Sequence, residues 1–349
     1  MKAGIKQVAR RAGVSPATVT RVLSGHPTVG MEITRKVQRA VAVTGYQPNR
    51  MAKGLASHRA GVIGVVMLGY GEAPLSHPHP YGKELMYSLV AQARRQNFDI
   101  LISPDSYSDG KTGMRDIKRL LQSRRVDGVI VLNSGKVVDA SFEGLDEIND
   151  PVVLIGPHRR HPHIWSVDTD HAGVAYDATC HLISRGHTHI GLVGQPLAQD
   201  YSNAWLHGYE RALRRHNLKW HDEWIVAREE WPSGAYRSAV SSLMQLQSRP
   251  TALVASNDVV AWGILGALNE LGYRVPEDMA LVSLYNSQLA ALSNPPLTSV
   301  DMDMERLGRT AVEMLIHKIG GQYDEGGQST AGRFVIPHRL IVRESSGIL

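Results

Sequence analysis

The 349-residue chain has one cysteine, Cys180, so no internal disulfide can staple it. That thiol falls in a helix-like segment, where it reads as a small buried hydrophobe. No stretch approaches eighteen consecutive apolar residues, which argues against a membrane-spanning helix. The opening residues Met1-Lys2-Ala3-Gly4-Ile5-Lys6 lack the apolar run of a secretory leader, so a cytoplasmic location is expected. Catalytic signatures are missing too. There is no Gly-x-Ser-x-Gly elbow, and Gly110-Lys111-Thr112 has Asp105 where a phosphate-binding loop requires its first glycine. Gly69-Tyr70-Gly71 meets Pro74 where a dinucleotide fingerprint requires glycine. The histidines of His77-Pro78-His79-Pro80 and those from His158 to His163 fit no zinc spacing. An enzyme is therefore not expected, nor a metal or other cofactor.

Acidic residues are scarce at one end only. The first sixty residues hold Glu32 alone against eleven lysines and arginines, a formal charge of +10 in a chain whose total is +5. The remainder is thus acidic, and the basic surface is confined to a head. A surface this basic suits DNA phosphates, where each neutralised charge releases counterions. A disordered basic tail would lack periodic apolar residues. This head has them.

Ile5, Val8, Ala9 and Ala12 recur at helical spacing, and Gly13 follows as a left-handed cap. Ser15 is then a good N-cap, Pro16 suits a first helical position, and Val19, Val22 and Leu23 form the buried stripe of a second helix that runs to about Ser24. The three-residue link Gly13-Val14-Ser15 matches the turn of a DNA-binding helix-turn-helix. A third helix is predicted over residues 31–44, with Ile33, Val37, Ala40 and Val41 inward and Gly45 at its end.

The string Val8-Ala9-Arg10-Arg11-Ala12-Gly13-Val14-Ser15-Pro16-Ala17-Thr18-Val19-Thr20-Arg21-Val22-Leu23-Ser24-Gly25, followed by Gly45-Tyr46-Gln47-Pro48-Asn49 and Ala52-Lys53-Gly54-Leu55, resembles the DNA-binding signature of the lactose-repressor (LacI/GalR) family. The resemblance implies a homodimer on near-palindromic double-stranded operator DNA. The second helix lies in the major groove, with Pro16, Ala17 and Arg21 toward bases and Ser15, Thr18 and Thr20 nearer phosphates. Arg21 could bridge guanine O6 and N7 or touch phosphate alone. Ser24, Tyr46, Asn49 and Ala52 complete the implied DNA contacts. Residues 49–60 correspond to the family's hinge, too short and too glycine-broken to persist as an isolated helix. Leu55 stands where the family wedges a leucine into the minor groove, the alternative being a flexible linker. A serine usually caps the third helix in relatives. Gly30 stands there instead.

From Gly61 the pattern becomes strands alternating with helices. Residues 62–67, 98–102, 126–132 and 152–155 read as buried parallel strands separated by helices near 82–96, 112–125 and 140–149. A second series follows at residues 190–193, 224–227, 252–255 and 280–282. The expected fold is an all-α helix-turn-helix domain (residues 1–48) joined by the hinge to a two-lobed α/β domain of doubly wound parallel sheets (residues 61–349). Lobe one is expected over about 61–160 and 290–320, and lobe two over about 163–288 and 325–349. A ligand in such a fold sits between the lobes, outside the carboxyl ends of the strands.

Arg185-Gly186-His187, Ser256-Asn257-Asp258, Leu271-Gly272-Tyr273 and Arg339-Leu340-Ile341-Val342-Arg343-Glu344-Ser345 resemble the family's effector domain, whose fold is that of periplasmic sugar-binding proteins. By resemblance, Tyr81 supplies a stacking aromatic and Asp168 faces the cleft. Asn257 is either a ligand-bonding amide or a helix cap. Trp205 replaces the family's usual effector arginine, and Tyr285, followed by Asn286, replaces an aspartate. Aromatic platforms beside an amide suit a carbohydrate, and they also suit a nucleoside or other planar ligand. Tyr285-Asn286-Ser287, residues 296–301 and the stretch Gly71 to Pro74 resemble maltose-operon regulators of the family, which implies an α-glucoside or maltodextrin effector. A carrier protein of the same fold would need a leader and would have no basic head. The sign of regulation is read from the family as repression relieved by effector. No heptad tail follows Gly347, so a dimer is expected rather than a tetramer.

Overall fold

The computed structural model describes residues 4–23, 28–46, 59–68, 82–104, 111–133, 150–156, 165–194, 200–228, 234–321 and 332–347. The chain divides into two compact units, Met1–Gly61 and Val62–Leu349. No helix among the described residues is long and apolar enough to cross a membrane.

In the first unit, helix α1 spans Ile5–Ala12, α2 Pro16–Leu23 and α3 Met31–Thr44. Gly13 ends α1 in the left-handed region at φ 67°, and the Val14 amide reaches back to the Ala9 carbonyl at 3.1 Å. Ser15 caps α2: its hydroxyl accepts from the Thr18 amide at 3.1 Å. The core is Val8, Ala9, Val19, Val37 and Ala40, with Val22, Leu23, Val41 and Tyr46 packed around it. Ile33 is exposed rather than inward. It lies in the first turn of α3, where a helix end has fewer neighbours to bury it. Gly30 offers no side-chain cap, and the Thr34 hydroxyl donates to its carbonyl instead.

Among its described residues the second unit forms two six-stranded sheets. Its described elements in chain order are β1 (Val62–Leu68), α4 (Gly82–Arg95), β2 (Asp99–Pro104), α5 (Lys111–Gln122), β3 (Gly128–Asn133), β4 (Val152–Ile155), β5 (Trp165–Thr169), α6 (His171–Ser184), β6 (Ile190–Gly194) and α7 (Asp200–Arg215). There follow β7 (Ile225–Ala227), α8 (Ala235–Met244), β8 (Ala252–Ala255), α9 (Asp258–Glu270), β9 (Ala280–Tyr285), α10 (Gln288–Leu292), β10 (Thr298–Asp301), α11 (Met304–Ile319), β11 (Arg333–Ile336) and β12 (Arg339–Ile341). The first sheet runs β11-β5-β4-β3-β1-β2, with every pairing parallel. The second runs β12-β10-β9-β8-β6-β7 and is parallel except for β12. Strands buried on both faces explain the continuous apolar runs of β3, β4 and β8.

Sheet pairing corrects the expected lobe boundaries. Residues 165–169, expected to open lobe two, pair with β4 in the first sheet, Leu154 opposite Ser166. Residues 298–301, expected in lobe one, pair with β9 in the second, and β11 returns to the first sheet beside β5. The chain therefore crosses between lobes after Thr169, after Asp301 and after Ile336. These short strands have no local signal of which sheet they join, because only the distant partner supplies the hydrogen bonds. The helix expected near 140–149 lies outside the described residues.

Helices α6 and α7 pack very closely. A Cβ at Gly208 would strike the Ala172 carbonyl, so only glycine allows the approach. Cys180, on α6, is half-buried rather than fully buried, with its sulfur 3.8 Å from His216 Nε2.

Candidate functional site

Helix α2 buries Val19 and presents Ser15, Pro16, Ala17, Thr20 and Arg21 on its exposed side. The hydroxyls are oriented by local bonds. Ser15 and Thr18 bond each other at 2.9 Å, and Thr20 donates to the Pro16 carbonyl at 3.1 Å. Arg10 and Arg11 at the end of α1, with Arg35 and Arg39 on α3, are also exposed. Tyr46 packs on the small core, half-buried. Ser24, Asn49, Ala52 and Leu55 lie outside the described residues.

In the second unit a cleft opens where the carboxyl ends of β3, β4 and β5 meet lobe two. It is lined by Asn133, Ile155, Asp168 and Thr169 from lobe one and by His171, Tyr201 and Tyr285 from lobe two, over a floor of Leu85, Leu132, Met304 and Leu307. The space among these side chains is about 360 Å³, part of it open to solvent.

Four rings make the lobe-two wall. His171 meets Tyr201 edge-on at 4.4 Å, Tyr201 stacks with Trp205 at 6.3 Å, and Trp205 meets Tyr285 edge-on at 6.3 Å. Tyr201 and Trp205 are four residues apart on α7, so they share one face of that helix. Asp168 is buried: its Oδ1 accepts from the Thr169 amide at 2.8 Å and meets His171 Nε2 at 3.0 Å, and its Oδ2 stands 3.6 Å from the Arg333 guanidinium. Tyr285 ends β9 at φ 91°, a region L residues rarely occupy, and Asn286 follows at φ 54°. That corner is pinned from below. The Asn286 amide donates to Ser299 Oγ at 2.9 Å, the Ser287 amide to Asp258 Oδ2 at 2.6 Å, and Arg343 to the Asn286 side-chain oxygen at 2.7 Å.

Asp168, Trp205 and Tyr285, expected at the site, are therefore brought together. Asn257 and Asn286 are engaged elsewhere. Asn257 Oδ1 caps α9 by accepting from the Val260 amide at 2.9 Å, which is the cap alternative, and the Asn286 oxygen faces Arg343. Tyr81 lies outside the described residues. Sequence reasoning missed His171, Tyr201, Thr169 and Ser202. The first two could have been found from their spacing, His171 three residues after Asp168 and Tyr201 four before Trp205.

Five buried polar atoms around this cleft have no hydrogen-bond partner: Asp168 Oδ2, Thr169 Oγ1, His171 Nδ1, Ser202 Oγ and Trp205 Nε1. A buried polar atom without a hydrogen bond costs about 1–3 kcal/mol, and of these five Asp168 Oδ2 keeps an ion pair with Arg333 at 3.6 Å. No cluster of potential metal ligands occurs among the described residues.

Residues 4–49 match the model of the lacI family of bacterial regulatory proteins, and residues 179–346 match the periplasmic binding protein-like domain. The chain is 30% identical to the HTH-type transcriptional repressor PurR of Aliivibrio salmonicida (strain LFI1238), over 93% of this chain and 94% of that protein. It belongs to the lacI family. As a lacI-family member it is a DNA-binding transcriptional repressor regulated by a small-molecule effector. Among solved structures, the lac repressor dimer bound to operator and the anti-inducer ONPF aligns with a TM-score of 0.82 at 24% identity, covering all of both chains. The transcriptional regulator CelR in complex with cellobiose aligns with a TM-score of 0.70 at 25% identity, over 98% of this chain and 99% of that one.

Proposed function

We propose that this repressor is controlled by a carbohydrate bound in the interlobe cleft, an α-glucoside or maltodextrin by the local sequence resemblance. The observation that supports this is the wall of His171, Tyr201, Trp205 and Tyr285 beside buried Asp168. Sugar C–H faces stack on such rings while hydroxyls meet the polar atoms between them. The similar regulator CelR was solved with cellobiose, a related disaccharide.

In this reading two α2 helices of a homodimer read a near-palindromic operator, with Pro16, Ala17 and Arg21 toward bases and Ser15, Thr18 and Thr20 toward phosphates. Residues 49–60 fold on DNA and Leu55 wedges the minor groove. Exposed Tyr87, Val90 and Ile102 in lobe one, with Trp262 and Leu292 in lobe two, are apolar surface that a dimer would cover. Effector binding changes lobe closure and so the spacing of the hinges. Operator-DNA fluorescence anisotropy with a maltose and cellobiose series tests the reading. Release of DNA by a sugar supports it, and release by a nucleobase with no response to any sugar overturns it.

A further inference from the structure

Lobe two carries a second concavity, a groove among Arg185 at the end of α6, Ala291 on α10, Pro296 before β10, and Val342, Arg343 and Glu344 after β12. The space between them is about 510 Å³ and opens widely to solvent. None of the six is among the described residues that line the interlobe cleft.

Two half-buried guanidiniums face this one groove. Arg185 donates to the Gly347 carbonyl at 2.7 Å, and Arg343 donates to the Leu297 carbonyl and to the Asn286 side-chain oxygen, each at 2.7 Å. All three acceptors are neutral. Among the described residues no ion pair balances either arginine, and Glu344, the one carboxylate in the described lining, is exposed and pairs with neither. Partly desolvated cations normally find an anion, because burial removes hydration that neutral oxygens replace only in part. The positive field reaches neighbouring groups: burial, and after it the charge of Arg185, holds the His181 imidazole below its ordinary value.

A guanidinium matches an oxyanion along its Nε edge. Arg274 shows the fit in this protein, gripping the two carboxylate oxygens of Asp278 at 3.0 and 3.2 Å through Nε and Nη2. Nε of Arg185 and Nε of Arg343 take part in none of their hydrogen bonds among the described residues. Ala291, Pro296 and the exposed Val342 supply apolar wall beside these edges. Arg343 also belongs to the cleft's support, since Asn286, which it holds, follows Tyr285 in the strained corner of the cleft wall.

We infer that this groove is a second ligand site, taking a small molecule with one oxyanion group, phosphate or carboxylate, on an apolar body, and that its occupancy reaches the cleft through Arg343 and Asn286. An oxyanion on the Nε edge of Arg343 competes with the Asn286 oxygen for Nη2, so the corner that holds Tyr285 loosens. The inference goes beyond the carbohydrate reading and does not depend on which ligand the cleft takes.

The test is isothermal titration of the full chain with phenyl phosphate, benzoate and the neutral benzyl alcohol, repeated on Arg185→Gln and Val342→Glu. The basic head is the same in all three proteins, so its own anion binding cancels in the comparison. Arg185→Gln removes one cation, with its fold checked by thermal unfolding, and Val342→Glu adds a carboxylate at an exposed position should the first variant disturb packing. One of the two anions should bind wild type, benzyl alcohol should bind far more weakly, and each variant should lose at least about tenfold in anion affinity. Phenyl phosphate or benzoate binding alone assigns the group as phosphate or carboxylate. Equal anion binding by wild type and both variants, or none by any, overturns the site, and benzyl alcohol binding as tightly as the anions overturns the oxyanion assignment. Hydrogen exchange read by mass spectrometry, with the bound anion present, should show faster exchange at residues 285–287 in wild type and no change in Arg185→Gln. Binding without that change leaves the site standing and overturns its link to the cleft.

Discussion

The Tyr201 hydroxyl donates to the backbone carbonyl of Asn133 at 2.8 Å, which ties the first turn of α7 in lobe two to the last residue of β3 in lobe one. This bond spans the cleft that the ligand must enter. Tyr201→Phe keeps the ring and removes the tie. It should cost about 1 kcal/mol of stability and shift the ligand-free protein toward more open lobes. Small-angle scattering of the ligand-free variant reads this as a larger radius of gyration, and an unchanged scattering profile would show that the bond does not hold the lobes.

Asp258 is fully buried and accepts from Ser283 at 2.5 Å, Ser299 at 2.9 Å and the Ser287 amide at 2.6 Å. Burial pushes its carboxyl above the ordinary 3.8, and the bonds from Ser283, Ser287 and Ser299 pull it partly back. A folded state that binds a proton more tightly than the unfolded chain is favoured at low pH. Asp258 therefore contributes stability that diminishes as pH rises from the unfolded value through the raised folded one. Urea unfolding of wild type and Asp258→Asn across the acid range isolates this term: the difference between the two curves should vary with pH in that window. A constant difference would assign the titration elsewhere. Asp258→Ala removes the acceptor of the Ser283 and Ser299 hydroxyls and the Ser287 amide and should destabilise by about 3 kcal/mol.

Gly208→Ala would place a methyl group against the Ala172 carbonyl of the facing helix. Alanine gains about 1 kcal/mol of helix propensity over glycine, and forced separation of two packed helices costs about 1–3 kcal/mol. We expect a net loss in thermal midpoint. Because Trp205 lies one turn away on the same helix, effector affinity should fall with it.

Arg21→Ala removes the one long cation of α2. Base reading predicts that discrimination at a single operator position falls by about 1–3 kcal/mol. Phosphate contact predicts uniform weakening and a salt dependence shallower by about one ion. Anisotropy against an operator and its single-base variants, at two salt concentrations, separates the two.

The head was almost wholly readable from local pattern. Gly13, Ser15, Pro16 and Gly45 mark helix ends through backbone geometry confined to a few residues, and Val8, Val19 and Val37 follow helical spacing into one small core. The buried strands of each lobe were readable for the same reason, since a doubly covered strand is a continuous apolar run. The termini of the lobes were not. Residues 165–169, 298–301 and 333–341 are short and mixed in character, and their sheet is chosen by partners as far away as Ser166 is from Arg333.

Side-chain roles at the cleft divide along the same line. Asp168, Trp205 and Tyr285 could be named from the chain only through its resemblance to the family's effector domain, position by position. Their convergence with His171 and Tyr201, the engagement of Asn286 by Arg343 and of Asn257 by its own helix, and the buried atoms left without a hydrogen bond were decided only in three dimensions. A residue type states which bonds it can make. Only the packed neighbours determine which of those bonds remain open for a ligand.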